Sequence, residues 1–136
     1  MEKPSPMTKP QTSPALLITT ALSEAATGLV LIATPATLLW ILLGIDQPDR
    51  ATTITTRIAG AALLAFGIVC WSARSSPSPQ IRAIIAAALL YDLIAAAVLA
   101  HAGATGMAGL ALWPAVAAHV ILSVWSGWCL WRATRS

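Results

Sequence analysis

Four apolar runs, each long enough to cross a bilayer as a helix, constrain this chain more than any other feature. A hydrocarbon core about 30 Å thick takes about 20 apolar residues in helical form. Lipid offers backbone groups no hydrogen-bond partner, so a spanning segment must satisfy its own. The runs cover residues 15–44, 51–73, 81–102 and 107–131. Only 10% of the 136 residues are charged and 57% are hydrophobic, whereas soluble domains carry about a quarter charged residues. A water-facing surface would have too few polar groups to cover it. The expectation is an all-α fold, a four-transmembrane-helix up-down bundle with both termini in the cytoplasm.

Turn-forming segments separate the runs: Gly44 to Asp49, Ser75 to Pro79 and Gly103 to Gly106. Asp49 is placed to cap the second helix and Gly44 to end the first. Pro35 falls inside the long first run and predicts a tilt or bend there. Lys3 and Lys9 precede the first run, Arg74 and Arg82 flank the second loop, and Arg132 and Arg135 follow the fourth run. The other side offers Arg50 alone outside the apolar runs, an asymmetry that orients termini and middle loop toward the cytoplasm. Trp71, Trp128 and Trp131 fall near that interface, Trp40 and Trp113 near the opposite one. The first run far exceeds a signal peptide's 7–15 apolar residues (roughly) and reads as a permanent anchor. The Pro-rich stretch 1–14 and the residues 133–136 read as cytoplasmic tails, the first of them disordered.

Away from its ends each run holds one acidic or basic side chain: Glu24, Arg57, Asp92 and His119. A charge at the centre of a membrane helix costs about 2.5–3.5 kcal/mol, so such groups are paired, neutralised or turned toward a cavity. Interhelical hydrogen bonds in membranes average only about 0.6 kcal/mol, a weak reason to keep four such groups. They are therefore the candidate buried polar, ligand or proton site. Position within each run places Asp92 and His119 at the midplane, Glu24 toward the cytoplasm and Arg57 toward the outside, a ladder rather than a ring. Arg57 is expected either to snorkel outward or to pair with Glu24 or Asp92. Thr20 and Thr27 share helical spacing with Glu24, as Ser123 and Ser126 do with His119. Tyr91 adjoins Asp92 about 100° away around the helix. Thr20, Thr27, Tyr91 and Ser123 are the expected supporting residues. Tyr91 reads mainly as packing, and His101 as a solvated residue at a span end.

Several chemistries are set aside. The basic residues are dispersed and form no nucleic-acid patch. Cys70 and Cys129 form no CxxC and suggest neither a disulfide framework nor a zinc site. Glu24, Asp92 and His119 lack motif spacing, so no metal is assigned. His101 and His119 lie at different depths, against a bis-histidine haem, and no cofactor is indicated. No catalytic residue is assigned, and an enzyme is the less favoured reading. The leading expectation is an accessory component of a larger membrane assembly. A docking face on the second run, Gly60, Ala61, Leu64 and Gly67, supports it. A proton-coupled small-molecule or ion transporter is the alternative, and a quinone- or cofactor-binding redox subunit the third. Beyond the lipid bilayer, the expected partner is another membrane protein or a second copy forming a homodimer.

The segments "SEAATGLVLIATPATLLWILLG", "RIAGAALLAFGIVCW", "LLYDLIAAAVLA" and "LALWPAVAAHVIL" together resemble a group of uncharacterised small four-helix bacterial membrane proteins. The resemblance implies the four-helix fold, a bacterial inner-membrane location and no particular activity. It also implies an asparagine, more often than an aspartate, at the position of Asp92. "SEAATG" around Glu24 is faintly similar to the small multidrug resistance transporters, which also carry a membrane glutamate on four helices.

Overall fold

The computed structural model describes residues 14–75 and 80–135. The expected N-terminal tail up to residue 13 and most of the Pro-rich middle loop lie outside the described residues. Within them the chain is all-α, without strands. In order it forms α1 (Pro14–Ala33), α2 (Pro35–Leu43), α3 (Arg50–Ala73), α4 (Gln80–Ala104) and α5 (Leu112–Thr134). Four of these, α1, α3, α4 and α5, are long and apolar enough to cross a membrane.

The first apolar run is two helices rather than one. Thr34 leaves helical geometry at φ −134° and ψ 61°, and Pro35 opens α2. Proline has no N–H to give the preceding turn and its ring crowds the carbonyl four residues back, yet at a first helical position it costs nothing. α2 ends at Gly44, whose left-handed φ of 74° suits a residue without Cβ.

The last loop also differs from expectation. α4 continues to Ala104, and α5 starts at Leu112 rather than at Met107. Residues 107–111 instead run across the end of α2. Ala111 N–H donates to the Ile41 carbonyl at 2.9 Å, supplying a partner to one of the carbonyls a helix end leaves open. Gly109 lies so close to Ile41 and Leu42 that any Cβ there would collide with their backbone.

The long helices associate as two antiparallel pairs, α1 with α3 and α4 with α5, and the two pairs meet more lightly. Small residues account for the first pair. A Cβ on Gly28 would stand 2.6 Å from the Gly60 carbonyl oxygen and 2.7 Å from the Leu64 nitrogen. A Cβ on Gly67 would stand 2.9 Å from the Ala21 oxygen. Without hydrophobic drive inside lipid, such backbone approach is what holds membrane helices together. Of the expected docking face, Gly60, Leu64 and Gly67 thus meet α1, while Ala61 stays exposed. At one end of the molecule Leu16, Leu17, Ala21, Cys70, Ala73, Ile81, Ile85 and Leu122 form an apolar core contributed by all four long helices. The same end carries Arg74, Arg132 and Arg135 over the rings of Trp71, Trp128 and Trp131 at 3.9, 5.1 and 4.0 Å.

Asp49 caps α3 as expected, its carboxylate accepting the Thr52 N–H at 2.6 Å. That bond holds the carboxyl below its ordinary 3.8. A lowered native value means the cap's contribution is full above the unfolded value and is lost as pH falls through the native one. The Thr52 amide resonance should therefore shift with a midpoint below pH 3.8, and Asp49→Asn should abolish that titration. For the helix pair, Gly28→Ala should destabilise by ~1–3 kcal/mol through overpacking. Gly127→Ala, where a new Cβ meets nothing within 4 Å, should not destabilise. Thermal unfolding in detergent followed by circular dichroism distinguishes the two.

Candidate functional site

The buried stripe of α1 runs Leu16, Leu17, Thr20, Ala21, Glu24 and Gly28. It follows one helical face, which puts Thr20 and Glu24 in the interior and leaves Thr27 exposed. Glu24 sits inside the tightest part of the α1–α3 contact. Ala21 and Ala25 flank it against Gly67, and Gly28 follows one turn later against Gly60. Its backbone is thereby fixed, and the residue is 3% exposed. On α4 the buried stripe is Ile81, Ile85, Ala88, Asp92 and Ala96, with Asp92 wholly buried. On α5 Leu122, Ser123 and Ser126 are buried and His119 stands one turn before Ser123.

These stripes converge. His119 Nδ1 and Asp92 Oδ1 share a hydrogen bond of 2.8 Å that links α4 to α5. Glu24 completes a trio with them, one ligand-capable atom of each lying within 4.8 Å of the others. The Tyr91 hydroxyl approaches the Glu24 carboxylate. The Tyr91 ring meets Phe66 at 5.8 Å and the edge of His119 at 5.7 Å. All four long helices therefore contribute to one locus between the two pairs. Four buried oxygens have no hydrogen-bond partner: Asp92 Oδ2, Thr20 Oγ1, Ser123 Oγ and Ser126 Oγ. Buried polar atoms are nearly always satisfied, and Thr20 and Ser123 lie one turn from Glu24 and His119, so these orphans call for an explanation. His119 keeps 18% of its side chain accessible, the most open of the bonded pair.

The ladder of depths collapses into a compact cluster. Glu24 is the eleventh of the 20 residues of α1 and Asp92 the thirteenth of the 25 of α4, so both stand at mid-helix. The break at Thr34 shortens the first span and moves its centre onto Glu24. Arg57 does not join them. It is exposed on α3, and among the described residues no arginine or lysine pairs with either carboxylate. Its expected place in a buried site is corrected: it stands one turn before Gly60 on α3, beyond the Gly28–Gly60 contact, and is exposed there. Ser126, wholly buried, is a polar member that the expected supporting set omitted, although its i, i+7 spacing from His119 was visible. His101 is exposed at the end of α4, apart from the cluster.

No protein-family model matches the chain, and neither a curated protein nor a solved structure matches it. What the fold and site define is a class: a small multi-pass membrane protein with a buried acidic, polar group.

If the orphaned hydroxyls make no bond within the protein, removing them should not weaken it. Thr20→Val and Ser126→Ala should unfold in detergent within ~0.5 kcal/mol of the parent, the range of changes that break no interaction. A loss above ~1 kcal/mol would show that each hydroxyl holds a bond.

Proposed function

We propose that the chain is a proton-coupled carrier of a small cation that works through Glu24, Asp92 and His119. One observation carries this reading: two carboxylates and an imidazole from three helices meet in the interior, and among the described residues no arginine or lysine pairs with them. Even a protonated His119 balances only one carboxylate. An unmatched charge in a membrane interior is costly, so the second carboxylate needs a proton or a cation. Had Arg57 reached in, the balance would be permanent and the cluster would be glue. With Arg57 outside, the balancing charge is exchangeable.

The surroundings support exchange. Leu16, Leu17, Ile81, Ile85 and Leu122 close one end of the site with an apolar layer. The two helix pairs meet more lightly than the helices within each pair, so rocking one pair against the other would open that layer and close the far side, as alternating access requires. The occupied glycine face of α3 removes the argument for an accessory subunit docking through it. We place the termini in the cytoplasm of a bacterial inner membrane. Arg74, Arg132 and Arg135 gather with Trp71, Trp128 and Trp131 at the end where α1 begins, the positive-inside signature.

Proteoliposomes holding a pH-sensitive dye and an acidic lumen provide the test, with Na⁺, K⁺, Mg²⁺ or Mn²⁺ added outside in turn. At least one cation should drive proton efflux. Glu24→Gln and Asp92→Asn should each slow it at least tenfold (roughly 1.4 kcal/mol in the barrier) while Arg57→Gln leaves it within about twofold. Efflux that no cation drives, or that survives both carboxylate changes, overturns the proposal.

A further inference from the structure

We infer that the Glu24–Asp92–His119 cluster is a binding site for a divalent transition-metal ion of the zinc type. The inference rests on the carrier reading for its biological sense and deepens it by naming the cation.

The donor set comes first. Two carboxylates and one imidazole nitrogen suit borderline divalent ions; alkali ions prefer oxygen alone, and soft ions prefer sulfur. Charge agrees: two carboxylates, a neutral imidazole and a divalent ion sum to zero, the state that a membrane interior tolerates. Geometry is close to what an ion needs. In a tetrahedral shell with bonds of about 2.1 Å, neighbouring donors stand about 3.4 Å apart. The three donor atoms lie within 4.8 Å of one another, so an inward movement of side chains on the order of 1 Å completes the shell.

A second, independent observation points to a ligand. Asp92 is wholly buried, and its Oδ2 has no partner although its Oδ1 is bonded to His119. Thr20, one turn before Glu24, and Ser123, one turn after His119, hold buried hydroxyls that are equally unsatisfied. A carboxylate oxygen without a donor is what a metal-binding site looks like between ions, and the hydroxyls are at hand to bond the ligating groups or a metal-bound water. Three protein donors leave one position open in a four-coordinate shell, the arrangement of sites that exchange or react rather than of closed structural ones. Cys70, buried in the apolar core, and Cys129 are free thiols outside the trio. The site is therefore nitrogen- and oxygen-based, with no thiolate.

The test titrates the purified full chain in mild detergent with Zn²⁺ by calorimetry and with Co²⁺ by visible absorption. One ion should bind per chain, and bound Co²⁺ should give ligand-field bands without the near-ultraviolet band of a thiolate. Glu24→Gln, Asp92→Asn and His119→Gln should each weaken Zn²⁺ at least tenfold, with helix content checked by circular dichroism. The double variant Cys70→Ser/Cys129→Ser should bind as the parent does. It decides the matter with the Co²⁺ spectrum if a site variant fails to fold. Absence of binding, a thiolate band, or binding lost with the cysteines and kept in the site variants overturns the metal assignment. Proton efflux driven by Na⁺ or K⁺ without Zn²⁺ binding would sink the metal and leave the carrier standing. Zn²⁺ bound by the trio without any cation-driven efflux would do the reverse.

Discussion

The close approach of α1 and α3 through Gly28, Gly60 and Gly67 is the contact on which the rest of the structure depends. In lipid the side chains gain nothing by leaving the solvent, because the solvent is as apolar as they are. What remains is van der Waals contact, and backbone can meet backbone only where no Cβ intervenes. Gly28 opposes Gly60 and Leu64, and Gly67 opposes Ala21 and Ala25. Glu24 lies between those two points, so a carboxylate that lipid would otherwise expel is locked at mid-helix and turned inward. The glycines thereby tie a packing requirement to a chemical one.

The second pair supplies what Glu24 meets. Asp92 and His119 hold α4 to α5 with a 2.8 Å bond, and Tyr91 bridges from Phe66 on α3 to His119 on α5. Each pair is internally tight, one through backbone contact and the other partly through a polar bond, while the two meet lightly. The acidic cluster lies at that softer boundary. The arginines that would have fixed the balance sit elsewhere, several of them stacked on tryptophan at the end of the molecule.

Much of the fold is legible in the sequence for simple reasons. Apolar length and turn residues give four spans because lipid leaves the backbone no other option. The cap at Asp49 and the stop at Gly44 follow from local chemistry alone. Pro35 announces an interruption, but the sequence does not say that the helix restarts as a separate element, and the depth of Glu24 depends on that. Taking 15–44 as one span centres it several residues too late and moves Glu24 away from Asp92. The start of α5 is misplaced for a related reason. Residues 107–111 are apolar enough to be helix, yet they are drawn across α2 by the Ala111–Ile41 bond and by the absence of a side chain at Gly109.

Sequence by itself determined that this chain is all-α, that four helices are apolar enough for a membrane, and that Glu24, Arg57, Asp92 and His119 are its costly residues. Those conclusions need only composition, periodicity and the price of charge in lipid. Tertiary structure alone decided which costly residues share a place. Tertiary contact separates Thr20, which is buried, from Thr27, which is exposed although the two lie only about 20° apart around α1, and it leaves Arg57 outside while Glu24 goes in. Helical periodicity defines faces but not which face meets a neighbour when every side of the helix is apolar. Contact between specific backbones settles that, and with it the difference between a ladder of separate charges and one shared site.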